Sequence, residues 1–270
     1  MRRRRFKVEA LTESVISVTG READHALRVL RLVIGDAVVL FDGDGREMDG
    51  RIRAISRERF EVEPTGKVRE GEVQRSSLTI ATATPKGQRS DWLVEKCAEL
   101  GVSALWLLET ERGPVIPGEG KLDRWRRKAV AAAKQAGHAR VMSIEPPRPI
   151  DALDEVSKTF VSVFHGDPSA DATPLIDELK VRPQKSCGTG FQPVHDTGCD
   201  PESGNVDGAE NGFSAQHEIL IFIGPEGGFT AEECAEIEKL GGRPVSLGDA
   251  TLRIETAAIA AAAIWANSCE

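Results

Sequence analysis

The chain of 270 residues contains no apolar run near the ~20 residues that a membrane-spanning helix needs. No apolar stretch follows the basic opening Met1-Arg-Arg-Arg-Arg-Phe6, so it does not read as a signal peptide. Cysteine is sparse: Cys97, Cys187, Cys199, Cys234 and Cys269 form no C-x-x-C pair. An odd set in a chain of this length argues against a disulfide framework and for reduced thiols in a cytoplasmic protein. The spacing of Cys187, His195 and Cys199 fits no compact zinc knuckle, and no metal is expected. Walker loop, nucleophile elbow, metal box and Ser-His-Asp set are all missing. Asp42-Gly-Asp-Gly45 is no dinucleotide fingerprint, because Met48 follows and no strand-turn-helix surrounds it.

What remains is an ordinary globular mixture, 40% hydrophobic and 29% charged, sufficient for one large domain or two modest ones. The net charge of −8 excludes a wholly basic nucleic-acid coat. Basic residues nevertheless cluster at Arg2 to Arg5 and at Lys121, Arg124, Arg126, Arg127 and Lys128. Each cluster reads either as a local phosphate-binding field or as solvated surface.

Residues 1 to 74 read as a small β-rich unit. Its segments are Val15 to Val18, Ala37 to Phe41, Gly50 to Ile55 and Phe60 to Glu63, with Asp42 to Gly45 as a turn. A helix from Glu22 to about Leu32 is expected, with Ala26, Val29, Leu30 and Val33 inward and Arg28 and Arg31 outward. The polar stretch 64 to 76 marks the boundary of a second unit, 75–270. There, strand 78 to 84, a helix capped by Ser90 and strand 102 to 108 make a βαβ unit, hence a parallel sheet. Lys121 to Gly137 has helical spacing with Trp125 inward, and Val161 to His165 is a strand. From Val181 to Gln216 periodicity is lost, which reads as a disordered insertion.

Ile219 to Ile223 is an unbroken apolar run, as in a strand buried on both faces. It ends in Gly224-Pro225-Glu226-Gly227-Gly228, and Thr230 with Glu233 has the capping-box spacing of a helix start. A glycine turn at the C-terminal edge of a parallel sheet is either an ordinary strand-to-helix connection or a ligand loop. A second segment, Leu247 to Thr256, favours the ligand loop. In it Arg253 and Glu255 stand among the apolar residues Leu252 and Ile254, and each must serve in pairing or in ligand contact. Together with Phe164-His165-Gly166, these segments supply three strand ends able to hold a nucleoside by backbone groups. The last helix, Ile254 to about Ser268, is apolar nearly all round and suggests a homodimer contact.

The motifs Ile223-Gly-Pro-Glu-Gly-Gly-Phe229, Leu247-Gly248 and Leu252-Arg-Ile-Glu-Thr-Ala257 resemble the signature of the ribosomal small-subunit RNA methyltransferase E family. The likeness continues through His25 to Arg31, Phe41-Asp-Gly43, Lys96 to Val102, Glu111-Arg112 and Gln135-Ala-Gly137. Ala250, His138 and Met142 depart from the family pattern. The resemblance implies a SPOUT-type α/β parallel sheet with a C-terminal trefoil knot, preceded by a PUA-like β-barrel. It implies methylation of uridine N3 in 16S rRNA of the small ribosomal subunit by a homodimer, with no membrane partner. S-adenosylmethionine would lie against Phe164, His165, Ile223, Gly224, Pro225, Glu226, Gly227, Gly228, Leu247, Gly248 and Leu252. Arg253 is the catalytic candidate, stabilising the uracil anion. Arg2, Arg4, Arg28, Arg31, Arg112 and Arg140 are candidates for RNA contact. A sister SPOUT enzyme on another RNA, or a non-catalytic RNA-binding assembly factor, remains an alternative.

Overall fold

The computed structural model describes residues 3–71, 76–113, 115–154, 158–167, 172–180 and 217–268. The insertion read between Val181 and Gln216, with Cys187, His195 and Cys199, lies outside the described residues, as does Arg2. Among the described residues no helix is long and apolar enough to cross a membrane.

The first sheet contains β1 (Arg4–Lys7), β2 (Ile16–Thr19), β3 (Ala37–Phe41), β4 (Arg46–Ile55), β5 (Arg59–Pro64) and β6 (Arg69–Glu70). Their order is β1-β3-β4-β5-β2, with β6 on β4. Alternation sets the inner face: Phe6, Val18, Leu40, Met48, Ile52, Phe60 and Val62 gather in one cluster. Gly50 is required there, because a Cβ would stand 2.3 Å from Val62 Cγ1 across the strand pair.

The helix expected from Glu22 to Leu32 differs from the expectation. An α-helical piece, α1 (Gly20–Asp24), passes into a π-helical turn over His25–Val29. The amide of Leu30 donates to the His25 carbonyl at 3.0 Å, so one turn holds an extra residue and the inward face shifts. Ala23 and Ala26 are buried, whereas Val29 and Val33 are 65% and 59% exposed and Leu27, Leu30 and Leu32 pack inward. Arg28 and Arg31 project into solvent, Arg31 at φ 52°.

The second sheet is parallel throughout. It contains β7 (Ser76–Ala83), β8 (Ala104–Glu109), β9 (Ser143–Pro149), β10 (Ser162–Gly166), β11 (Thr173–Pro174), β12 (His217–Ile223) and β13 (Gly242–Ser246). The order is β11-β13-β10-β12-β7-β8-β9. On β12, Ile219, Ile221 and Ile223 face one core cluster while Leu220 and Phe222 face another, so the run is buried on both sides. Helices α2 (Arg89–Glu99), α3 (Glu119–Ala136) and α6 (Ile254–Ser268) cover the first face through Leu93, Trp125, Ala129, Ala258 and Trp265. Helix α5 (Ala231–Lys239) covers the other through Ile237, and α4 (Leu175–Lys180) packs beside α6. Strand β13 adds to the far side of β10 from β12, and the chain then returns as α6 against β7 and α2.

Ser90, expected as the N-cap of α2, is instead its second residue; Gln88 is the cap and the Ser90 hydroxyl donates to the Gly87 carbonyl at 2.8 Å. Trp125 is core, 1% exposed, and its indole N–H donates to Asp91 at 2.7 Å. The two sheets are joined at the Asp42–Gly45 turn, where Val141 N–H donates to the Gly43 carbonyl at 2.8 Å and Arg140 bridges Gly43 and Asp44. Burial pushes the Asp42 carboxyl up, but the amides of Asp44 and Arg46 and the Arg46 guanidinium bring it below the ordinary range. From α3, Lys134 pairs with Glu22 and lies 5.2 Å from the Phe6 ring centre.

Candidate functional site

Register brings the predicted segments to one level. His165 lies opposite Phe222 of β12 and Pro244 of β13, so the chain leaves all three strands at the same sheet edge. Gly166 marks the convergence: a Cβ there would sit 3.5 Å from Ile223 Cδ1 and 3.9 Å from Leu247 Cδ1. Open α/β sheets bind ligands at such an edge, between strands whose connections diverge.

The loop after β12 turns tightly. Gly228, at φ +70°, donates its amide to the Pro225 carbonyl at 2.8 Å. At Gly224 a Cβ would stand 3.2 Å from the Phe229 ring, so any side chain there would press on that ring. The capping box is formed: Thr230 Oγ1 accepts from Glu233 N–H at 3.2 Å, and Glu233 accepts from Thr230 N–H at 2.8 Å. The other oxygen of Glu233 takes the amide of Glu111 at 2.8 Å, tying the end of β8 to the start of α5.

Two arginines brace the same loop from outside. Arg112 donates to the Gly227 carbonyl and Arg89 to Glu226, both at 2.8 Å. Arg89 also lies 3.8 Å from Glu255. Glu255 is 4% exposed and its second oxygen has no partner, whereas Arg253 is exposed, so the two charges of this segment part company. Neither Arg89 nor the double use of Glu233 was foreseen. A signal existed: arginine in the first turn of a helix opposes the macrodipole, which asks for a distant carboxylate.

The second loop is less bound. The hydroxyl of Ser246 donates to the Gly248 carbonyl and accepts from its amide, both at 3.2 Å, while Gly248 takes φ +136°. Among the described residues the amides of Asp249 to Leu252 find no acceptor. Leu247 and Leu252 are half-buried. Phe164 is 1% exposed and serves the core, with Arg243 5.0 Å from its ring centre. His165 is buried; burial pushes its pKa down against the opposing pull of Asp167 and Glu238, so the ring is neutral at neutral pH.

The arrangement suits a neutral ring system with sugar-like polar edges. It supplies an apolar floor (Ile223, Leu247, Leu252), unsatisfied backbone amides and glycines for close approach, and Arg89 and Arg112 are already engaged. The predicted RNA-contacting arginines are not brought together. Arg4, Arg28 and Arg31 lie on the first sheet's unit, Arg140 at the junction, and Arg112 against the glycine loop.

Glycine loops that converge at one edge of a parallel sheet, behind a small β unit, define an α/β fold of the class that binds ligands at such an edge. The family described as RNA methyltransferase domain matches residues 72–187 and 195–266, and the RNA methyltransferase PUA domain matches residues 18–65. The chain belongs to the RNA methyltransferase domain family. It is 28% identical over 249 residues to the ribosomal RNA small subunit methyltransferase E of Synechocystis, covering 92% of this chain and 72% of that one. The enzyme of the same name from Mycobacterium tuberculosis is 28% identical over 270 residues, covering 95% and 88%. In fold, the chain is similar to the ribosomal RNA small subunit methyltransferase E of Neisseria gonorrhoeae, whose structure is bound to S-adenosyl methionine. The TM-score is 0.75 at 23% identity, covering 97% and 96%. The family read from the sequence is therefore borne out, as is a parallel α/β fold behind a PUA-like unit.

Proposed function

We propose that this protein methylates N3 of a uridine in 16S rRNA of the small ribosomal subunit, with S-adenosylmethionine as the methyl donor. The observation that carries the reading is the convergence of the two glycine loops, 224–229 and 247–253, at Gly166. The donor would rest against Ile223 to Gly228, Leu247, Gly248 and Leu252, with His165 beneath, and would supply an electrophilic methyl group on a positively charged sulfur. Uracil N3 must give up its proton, and in a duplex it is engaged in pairing, so the base has to be unpaired or flipped out. Holding N3 in line with the methyl group is then the main task of the chain. The exposed Arg253, whose carbonyl accepts from Ala257 N–H at 2.8 Å at the start of α6, would donate to a pyrimidine oxygen and stabilise the anion.

The unit 1–74 would position RNA through Arg4, Arg28 and Arg31, with Arg140 at its junction to 75–270. A trefoil knot is the reading that best suits β13 crossing beyond β10 before α6 returns. The apolar outer face of α6 suits a second copy of the chain and supports a homodimer, and an rRNA substrate supports a cytoplasmic location. Nucleoside mass spectrometry of rRNA from a deletion strain tests the reaction: 3-methyluridine should vanish. Its persistence would redirect the reading to another RNA or another atom. Calorimetry tests the pocket. Gly227→Val, whose Cβ would stand 3.2 Å from Arg112 Cδ, and Leu252→Asp should each weaken donor binding at least about tenfold.

A further inference from the structure

The basic run on α3 divides between two faces. Arg126 is tied within its own helix to Glu119 at 2.6 Å and Asp123 at 3.0 Å. Lys121, Arg124 and Lys128 fall on another face, at helical spacing, and turn toward the start of α2. Between the two helices runs a groove of about 560 Å³ lined by these three cations and the carboxylates Asp91 and Glu95, with Gly87, Gln88 and Trp92. Trp92 is 47% exposed, whereas Trp125 and Trp265 are essentially buried. An indole left half in water beside cations contributes little to the core and is the usual platform for a stacked base.

Asp91 takes Arg124 at 2.6 Å and Glu95 takes Lys128 at 2.8 Å, holding both cations along the groove wall. Lys121 forms no ion pair among the described residues. It stands 4.8 Å from the Trp125 ring centre, and burial pushes its pKa down, with Arg124 adding to that push against the pull of Asp91. An incoming phosphate would relieve the repulsion between Lys121 and Arg124. The groove also opens next to the candidate site, since Gly87 and Gln88 line it and the next residue, Arg89, grips Glu226 of the glycine loop.

We propose that the Trp92 groove binds a single-stranded segment of the substrate RNA, one base stacking on Trp92 and its phosphates meeting Lys121 and Arg124. In a chain of net charge −8 this local set of cations around an exposed aromatic has the chemistry of a nucleic-acid track, not of a general surface. The proposal rests on the methyltransferase reading and extends its substrate contact beyond the reacting nucleoside.

The test uses the full chain and a single-stranded RNA oligonucleotide of about ten nucleotides, within the length that such grooves hold. Trp92→Ala should lower RNA affinity about 5- to 100-fold and Trp92→Phe should restore most of it, as expected for stacking. Lys121→Ala should reduce the slope of log K against log salt by about 0.7. Binding of S-adenosylmethionine by calorimetry should be unchanged in all three, which separates this proposal from the donor site: failure of the wild-type chain to bind donor would strike that reading alone. Unaltered RNA affinity in Trp92→Ala overturns the proposal. So does a loss of affinity that accompanies a fall in mass by light scattering, which would make the groove a contact between copies of the chain.

Discussion

Arg89 offers the sharpest test of how the site is held. It is the one cation near Glu255 among the described residues, at 3.8 Å, and it also grips Glu226 at 2.8 Å. Removing one partner of a fully buried pair costs about 3–5 kcal/mol, because the other charge stays buried without compensation. Here the Arg89 side chain is 37% exposed, so water screens part of the loss and Arg89→Ala should cost about 1–2 kcal/mol. Glu255→Gln removes the buried charge and keeps the shape, so alone it should cost no more than about 1 kcal/mol. In the Glu255→Gln background, Arg89→Ala loses only the exposed contact to Glu226, about 0.5 kcal/mol or less. The cycle therefore predicts a coupling of about 1 kcal/mol, read from urea midpoints at constant m, with Arg89→Ala lowering Tm by about 2–6 °C. Equal costs of Arg89→Ala in both backgrounds would refute the view that this arginine compensates Glu255.

Burial holds the His165 pKa below 6.5, so the unfolded chain takes up the proton first. Its stabilising contribution is complete above that value and is lost as pH falls toward the folded pKa; His165→Gln should flatten this acid limb, and identical stability profiles in the two proteins would sink the assignment. Thr230→Ala removes one half of the capping box and should cost about 1 kcal/mol in chemical denaturation, with Thr230→Ser recovering most of it. A variant as stable as the parent would mean that the cap is idle. Cys97 is fully buried and its thiol is pushed up to about 12. Peptide mass spectrometry should find it unlabelled by a thiol reagent in the native protein and labelled in urea, whereas labelling as fast as at half-buried Cys234 would contradict the packing.

Elements with a local cause were legible in the sequence. The Ile219–Ile223 run, the Thr230–Glu233 box and the alanine-rich last helix each declare themselves within a dozen residues, and the structure forms them. Strand β9 was hidden by Pro146, Pro147 and Pro149, which are tolerable because it is an edge strand with one neighbour, β8. Strand β1 lay inside an arginine run; Phe6 alone turns into the core, while Arg5 reaches Glu47 at 2.6 Å. The π-helical turn defeated a 3.6-residue period that was otherwise read correctly up to Ala26. At the site, both loops could be found from glycines and motif, but their bracing could not. Arg89 and Glu226 are 137 residues apart and Arg112 and Gly227 115, and no periodicity connects such pairs.

The place of β12 in the sheet also dictates when the protein can become active. Strand β7, the earliest of the second sheet, pairs with β12 and packs against α6, both made much later, so the centre of the sheet waits for them. Leu247 to Arg253, one wall of the proposed cradle, is made after all seven strands of that sheet. A nascent chain can complete its first sheet while still being translated, whereas the proposed donor pocket cannot form until this late stretch has emerged. The protein would thus stay inert while the greater part of its chain is being made.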